Sequence, residues 1–485
     1  MADQNFEQRT GAFLGWFKSL PGATFHKDIQ IADLRPRDAG RGIVATADIE
    51  PETVLFTIPR KSIICTANSA LPSQLPDVFA PPEEQGDASG SADDESPSSA
   101  SQDSWTRLIL VMMYEYFQSP RSSWQPYLDI LPSTFNTPMF WSADELAELQ
   151  ASSVVSRIGA AEAENMIAAK IIPVVRGNEA VFFPSGGAPS DEELMNLAGR
   201  IGSTIMAYAF DLEKDEDEEG GDEEDEWVED REGKTELGMV PMADVLNADA
   251  DFNAHINHET DALTAVSLRR IRAGEEILNY YGPLPNGELL RRYGYVTAAH
   301  RRWDVVELSW SLVEAALMEV LGALQDTWGK VAAQVDEEEV EDGFVIEWGS
   351  EEPDAEGHVD DKLEFHGLPE ELADQVKAFL KAGRKFDGSM AYKLSESETR
   401  KEVYLRSVLR AMELRLAEYP TSLEADLQVQ RTGHPSGRKG VALAVRIGEK
   451  TLLREAIRWT GAEVAKLNRD VEMSDEPSAK RQRKR

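Results

Sequence analysis

The sequence predicts an α+β fold in which β-rich segments enclose a helical block and a helical domain follows. Three observations carry this. β-Branched runs lie near the N-terminus and return after residue 260, residues 105–210 show the 3.6-residue period of helices, and that period continues beyond Trp303. With 485 residues and 41% hydrophobic side chains, the chain can fill two or three domains and is not disordered throughout.

Taken in order, Phe6, Phe13, Leu14, Phe17 and Leu20 recur at helical spacing until Pro21-Gly22 ends the run, so residues 1–21 form an amphipathic helix. The runs Gly42–Ile49 and Thr53–Pro59 are β-branched and flank Glu50-Pro51-Glu52, which reads as two strands joined by a turn. Residues 80–104 are rich in Ser, Asp, Gly and Pro and form a linker or surface loop. Trp105–Phe117 is apolar on nearly all faces and has the composition of a buried helix. Helical periods follow over Ala143–Gln150, Val154–Val175 and Asp191–Phe210, with Ser142 and Ser190 placed as N-caps before acidic first turns. β character returns over 263–268 and 276–282. From Trp303 the chain reads as helical again, with Val305, Leu308, Leu312, Ala315, Leu317 and Leu321 in one stripe, and helices resume over 368–427 and 450–467. There is no internal repeat.

The net charge of -38 is concentrated in three places. Glu83–Asp103 holds seven acids and no base, Asp211–Glu232 fifteen acids against Lys214 and Arg231, and Asp336–Asp361 thirteen acids and no base. These runs read as solvated loops at 80–104, 211–236 and 336–361, able to steer a basic partner. The rest of the chain is nearly neutral. A single cysteine, Cys65, excludes an intrachain disulfide framework and any zinc site built on several thiolates, which fits a reducing compartment. No apolar run is long enough to cross a bilayer, and the N-terminus lacks the pattern of a secretory signal. Residues 469–485 read as a disordered basic tail. Its Lys480-Arg481-Gln482-Arg483-Lys484-Arg485 cluster points to the nucleus, with the cytoplasm as a second compartment, against a merely solubilising or ribosomal-RNA-touching end.

Gly40-Arg41-Gly42-Ile43-Val44-Ala45 matches the dinucleotide fingerprint in letters only, since a β-branched run follows it where a helix is required. What survives is a glycine pair that lets backbone approach a ligand, or makes a tight turn. His255-x-x-His258-Glu259 has neither the spacing nor the third ligand of a zinc motif, so it reads as part of a solvated loop. Met239–Asp249 and Gly274–Gly282 each have bland readings as cap and turn residues.

Their order is informative. A Gly-x-Gly strand pair, then Ala243-Asp-Val-Leu-Asn247, then Glu275-x-x-x-Asn279-Tyr280-Tyr281-Gly282, then Glu288-Leu-Leu-Arg-Arg-Tyr293-Gly-Tyr295 resembles the SET-domain protein methyltransferases. Trp124–Leu128, Pro138–Trp141, Met206–Phe210 and Asn286–Tyr295 narrow the likeness to the group related to the plant Rubisco large-subunit methyltransferase, and within it to the ribosomal-protein methyltransferases. The likeness is strong from about Gly11 to His300 and architectural beyond. It implies a β-rich SET fold over 22–300, split by a helical insertion at 105–210 and followed by an all-helical substrate-binding domain over 301–468. It also implies S-adenosyl-L-methionine as methyl donor, no metal, and a lysine of a basic 60S ribosomal protein as substrate. Gly40, Arg41, Gly42, Tyr208, Asn247, Tyr281 and Tyr293 would bind the donor, Phe210 and Tyr280 would line the lysine channel, and Tyr281 would be the catalytic tyrosine. A monomer with no membrane or direct nucleic-acid contact is expected. The chain departs from many relatives at Ala248, where they carry histidine.

The residue types suit this chemistry. Methyl transfer to an amine is an in-line displacement at a sulfonium, so catalysis is largely a matter of placing a neutral nitrogen opposite sulfur. A tyrosine oxygen and backbone carbonyls can do so, and a dry aromatic channel favours the neutral amine. Two rivals stand beside this reading. Histidine methylation on the same scaffold is separable by mass spectrometry of the product, and a non-catalytic module for a basic protein by calorimetry with the donor.

Overall fold

The computed structural model describes residues 2–80, 99–212 and 236–474, apart from positions 38, 324, 336–339, 361, 387, 389–393 and 434. Most of the first two acidic runs and the basic cluster at 480–485 therefore lie outside the described residues.

The N-terminal helix Ala2–Ser19 is no separate unit, because its apolar stripe buries Phe13 and Phe17 in the main core. Ten strands then build three small sheets: β1 (Thr24–Phe25), β2 (Ile29–Asp33), β3 (Arg41–Ala45), β4 (Val54–Pro59), β5 (Ala209–Leu212), β6 (Glu236–Met239), β7 (Asn247–Ala248), β8 (Ala254–His258), β9 (Ala262–Ser267) and β10 (Glu276–Asn279). One sheet has the order β1-β4-β9-β8, another β2-β3-β10-β7, and β5 pairs with β6 alone. The two strands expected to flank Glu50-Pro51-Glu52 are β3 and β4, and they part into different sheets. The pair His255 and His258, expected in a solvated loop, sits in β8. That strand alternates buried and exposed residues and pairs with β9 in register from Ala254↔Ser267 to His258↔Leu263. Polar residues on its outward face hid the period of two.

The helical insertion packs into the same core. Helix Ser99–Phe117 starts inside the stretch read as a low-complexity loop, and its Leu108–Met113 segment is buried throughout. Helix Asp191–Tyr208 crosses it, capped as the sequence predicts: Ser190 and Glu193 close a capping box, as do Ser142 and Glu145 for Ala143–Ala147.

A second core gathers Val306, Leu308, Trp310, Trp328, Phe344, Phe379, Val408 and Leu452 from the C-terminal region. This region is helical but not wholly so. Val305–Ser309, read as the start of a helical stripe, is a strand (β11) that buries Val306 and Leu308 and turns Val305 and Glu307 outward. It pairs antiparallel with Gly343–Glu347 (β12), which lies inside the third acidic run. The expected loop at 336–361 is thus corrected: Phe344, Ile346 and Trp348 are buried among the acids. Burial of three large side chains outweighs the solvation of the acids that flank them and of Glu347 between them. Helix Gly437–Ser474 joins the second core through Leu452, Leu453 and Ala456 and a smaller cluster with Trp141, Leu149 and Leu290 through Ala442 and Val445.

Candidate active site

The site forms where β3, β7 and β10 meet. β7 runs parallel to β10, pairing Asn247 with Leu278 and Ala248 with Asn279, while β3 lies antiparallel on the other side of β10. Residues far apart in sequence are brought within bonding distance. Asn247 Nδ2 donates to Glu276 Oε1 at 2.7 Å and to the Arg41 carbonyl at 3.1 Å. Gly42 must be glycine here, because a Cβ would collide with Leu34 and lie 2.7 Å from Glu276 Oε1 and 2.9 Å from Asn247 Nδ2. Gly40, at φ +64°, makes the turn into β3. The Arg41 guanidinium turns away: it stacks 4.0 Å over the Phe6 ring and donates to Thr10 Oγ1 and the Ile130 carbonyl, each at 2.9 Å. Its side chain therefore clamps the N-terminal helix, and its carbonyl faces Asn247.

Tyr281 follows β10. Its hydroxyl donates to the Leu246 carbonyl at 3.0 Å, and its ring stacks on Tyr293 with centroids 4.8 Å apart. Tyr295, next to Tyr293, donates to the Ala248 carbonyl at 3.3 Å, so two tyrosine hydroxyls bracket Asn247. Burial, then the neighbouring Tyr295, Tyr293 and Tyr208, hold the Tyr281 hydroxyl well above its ordinary pKa. It stays protonated, with its oxygen lone pairs available to an N–H donor. Tyr208, at the end of its helix, is pushed up to about 12 by burial and then by Asp244. Phe210 lies just beyond it in β5, opposite Gly238.

Tyr280 does not join this group. It stacks on Phe252 with centroids 4.7 Å apart, approaches Trp303, and donates its hydroxyl to Glu352 at 2.9 Å. That carboxylate belongs to the third acidic run, whose segment after β12 lies against the first core: Phe252 N donates to the Gly357 carbonyl at 3.0 Å, and Arg269 to that of Glu356 at 2.8 Å. Tyr280 thus faces a junction between the two cores.

Three groups near the site had no role assigned from the sequence. Asp244 sits in the short turn Ala243–Val245 and takes the Tyr127 hydroxyl on Oδ2 at 2.6 Å. Burial pushes its pKa up to about 7. Met242, wholly buried at φ +82°, holds that turn in a strained conformation of about 1–3 kcal/mol. Asp249 accepts from Thr297 at 2.8 Å, and Thr297 also meets the buried His300 ring at 2.8 Å. An acid inside the apolar run Met239–Leu246 was the available signal for Asp244. Among the described residues, no three His, Cys, Asp or Glu side chains are grouped to hold a metal ion.

The "SET domain" family model matches residues 40–282, half of the chain, and takes in every strand of this junction. The chain belongs to the SET-domain family. A second model, "Rubisco LSMT substrate-binding", matches residues 366–453 of the C-terminal helices. Ribosomal lysine N-methyltransferase 4 of Saccharomyces cerevisiae is 34% identical over 336 residues, covering 67% of this SET protein and 61% of the yeast one. The N-lysine methyltransferase setd6 of Salmo salar is 30% identical, covering 58% and 56%. The chain thus spans about three fifths of the length of these relatives. A crystal structure described as the SET domain of LSMT bound to lysine and AdoHcy shares the fold, with a TM-score of 0.60 at 18% identity over 98% of this chain and 97% of that one.

Proposed function

We propose that this SET-family chain is an S-adenosylmethionine-dependent protein-lysine N-methyltransferase whose substrate is a basic protein of the large ribosomal subunit. The observation that carries the reading is Tyr281, a tyrosine whose hydroxyl is buried and held on the Leu246 carbonyl among three other tyrosines, close to Asn247 and Gly42. These residues fit the donor. The absence of a Cβ at Gly42 lets the Asn247 and Glu276 side chains close onto β3, and Asn247 is fixed there by its bonds to Glu276 and the Arg41 carbonyl. Bound there, the donor would supply a methyl group on a positively charged sulfur.

The chain's own residues do the rest. Gly40, Arg41 and Gly42 would present backbone groups to the donor, Asn247 its amino-acid end, and Tyr208 and Tyr293 their rings. The Tyr281 oxygen would hold the lysine nitrogen in line, and the Leu246 carbonyl fixes the direction of its hydroxyl. The aromatic walls exclude water, which favours the neutral amine. Phe210 would border the lysine channel. Tyr280 is better placed to support the junction with the C-terminal region than to touch substrate.

The names of the yeast and salmon relatives support lysine as the methylated residue, and the yeast name supports a ribosomal substrate. Acidic runs carrying most of the -38 charge complement a basic protein. The reading includes a monomer that enters the nucleus on Lys480–Arg485. The test is methyl transfer from radiolabelled donor to isolated large ribosomal subunits, followed by mass spectrometry. Label on a lysine is expected, with Tyr281→Phe slower by about 100-fold. Absence of label from the unmodified chain, or label indifferent to Tyr281→Phe, overturns the reading.

A further inference from the structure

Lysine arrives as an ammonium ion, and its nitrogen cannot attack until a proton has left. None of the groups so far assigned can take it: the tyrosines of the site are all held in their protonated form by burial, and the Leu246 carbonyl already accepts from Tyr281. One buried carboxylate has no role yet. Asp244 lies two residues before Leu246, on the turn that positions that carbonyl. Its Oδ2 accepts from Tyr127 at 2.6 Å, whereas its Oδ1 is buried with no hydrogen-bond partner. A buried carboxylate oxygen left unbonded costs about 1–3 kcal/mol or more and is rarely kept without use.

We propose that Asp244 accepts the proton released by the substrate ammonium at Oδ1, directly or through one water. The assignment rests on the lysine methyltransferase reading. The N–H bond of the ammonium breaks and its electron pair stays on nitrogen, while the proton forms an O–H bond at Asp244. The nitrogen pair then forms the N–C bond as the donor's S–C pair returns to sulfur. The product leaves as a methylammonium, and the Asp244 proton passes to solvent.

The charged and titratable groups facing Asp244 suit a carboxyl that exchanges a proton near neutrality. Burial raises its pKa to about 7, while the Tyr127 hydroxyl from Gln125–Leu128, the backbone amides of Met242 and Asp244, and Arg41 from β3 pull it down. Tyr208 and Tyr281 face it as neutral phenols, each raised in turn by its field. A carboxyl of ordinary acidity would be a poor acceptor at pH 7, and one pushed far higher would already hold its proton.

Asp244→Asn and Tyr127→Phe in the full chain test this with three readouts: donor binding by calorimetry, single-turnover methyl transfer from pH 6 to 10, and thermal unfolding of the donor-free protein from pH 5 to 9. Asp244→Asn should bind donor within about threefold of the unmodified chain but transfer methyl about 100-fold more slowly at pH 7. That deficit should shrink toward pH 10 as lysine loses its proton unaided. Tyr127→Phe should move the acid limb of the rate profile to higher pH, since it removes a bond that lowers the carboxyl pKa. A purely structural role would not move that limb. In the donor-free protein, the folded carboxyl keeps its proton up to about pH 7 and the unfolded one loses it near 4. The unmodified chain should therefore lose melting temperature relative to Asp244→Asn as pH rises through that window. Asp244→Asn with an unchanged rate profile, or unfolding curves that run parallel across pH, overturns the proposal. Failure of the unmodified chain to label any lysine overturns the parent reading as well, so the two failures are distinct.

Discussion

Gly42 is the position at which a single methyl group would do most harm. Gly42→Ala would push a Cβ into Leu34 and against Glu276 and Asn247 together, and the strands cannot separate without losing the Asn247 bonds. The expected cost is about 1–3 kcal/mol in denaturant unfolding, with donor affinity down by about tenfold in calorimetry. A variant with unaltered affinity would show that Asn247 is not held in place by this contact. The need for glycine at 42 was legible in the sequence only as a pair of alternatives, close approach to a ligand or a turn; the structure gives the turn to Gly40, while Gly42 is closely approached by the side chains of Leu34, Glu276 and Asn247. Tyr281 could be singled out through the order of motifs. Its neighbour Tyr280 was assigned to the same channel because adjacent aromatic residues look alike in sequence, yet their rings face different partners. Asp244 stayed unassigned because spacing says nothing of burial, and burial is what makes its carboxyl unusual.

At the scale of elements, helices were read well and short strands poorly. Capping boxes at Ser142 and Ser190 and the apolar Leu108–Met113 segment are local signals, written in neighbouring residues. Strands β7, β11 and β12 take their identity from partners distant in sequence, and in β8 polar residues mask the alternation, so two to five residues of alternation carry little weight. The hairpin of β11 and β12 is the sharpest case, since thirteen acids over 336–361 concealed a strand that buries Phe344 and Ile346. Phe344→Ala decides between the two descriptions. A side chain in a solvated loop would change stability by no more than about 0.5 kcal/mol, whereas removal from this core should cost about 3–5 kcal/mol, measured by chemical denaturation.

For the molecule as a whole, charge and fold are largely separate. The second acidic run leaves from β5 and returns through β6, whose register from Ala209↔Met239 to Leu212↔Glu236 closes the core behind it. Deleting Asp215–Glu226 should therefore leave donor binding and the melting temperature unchanged, while association with a basic protein slows and loses part of its dependence on salt. Stopped-flow binding at two ionic strengths reads this directly; a fall in melting temperature of several degrees would mean the run is built into the core. The third run behaves otherwise, because its Glu352, Glu356 and Gly357 are stitched to the SET core around Tyr280. One peptide bond joins Tyr280 to Tyr281. The first is tethered to the Glu352 carboxylate of the C-terminal half and the second is held on the Leu246 carbonyl, so the two halves cannot drift apart without pulling on Tyr281. An isolated fragment ending before residue 301 would leave Tyr280 without its Glu352 tether, and under the proposed function a load on the C-terminal half would be felt at the tyrosine that holds the substrate nitrogen.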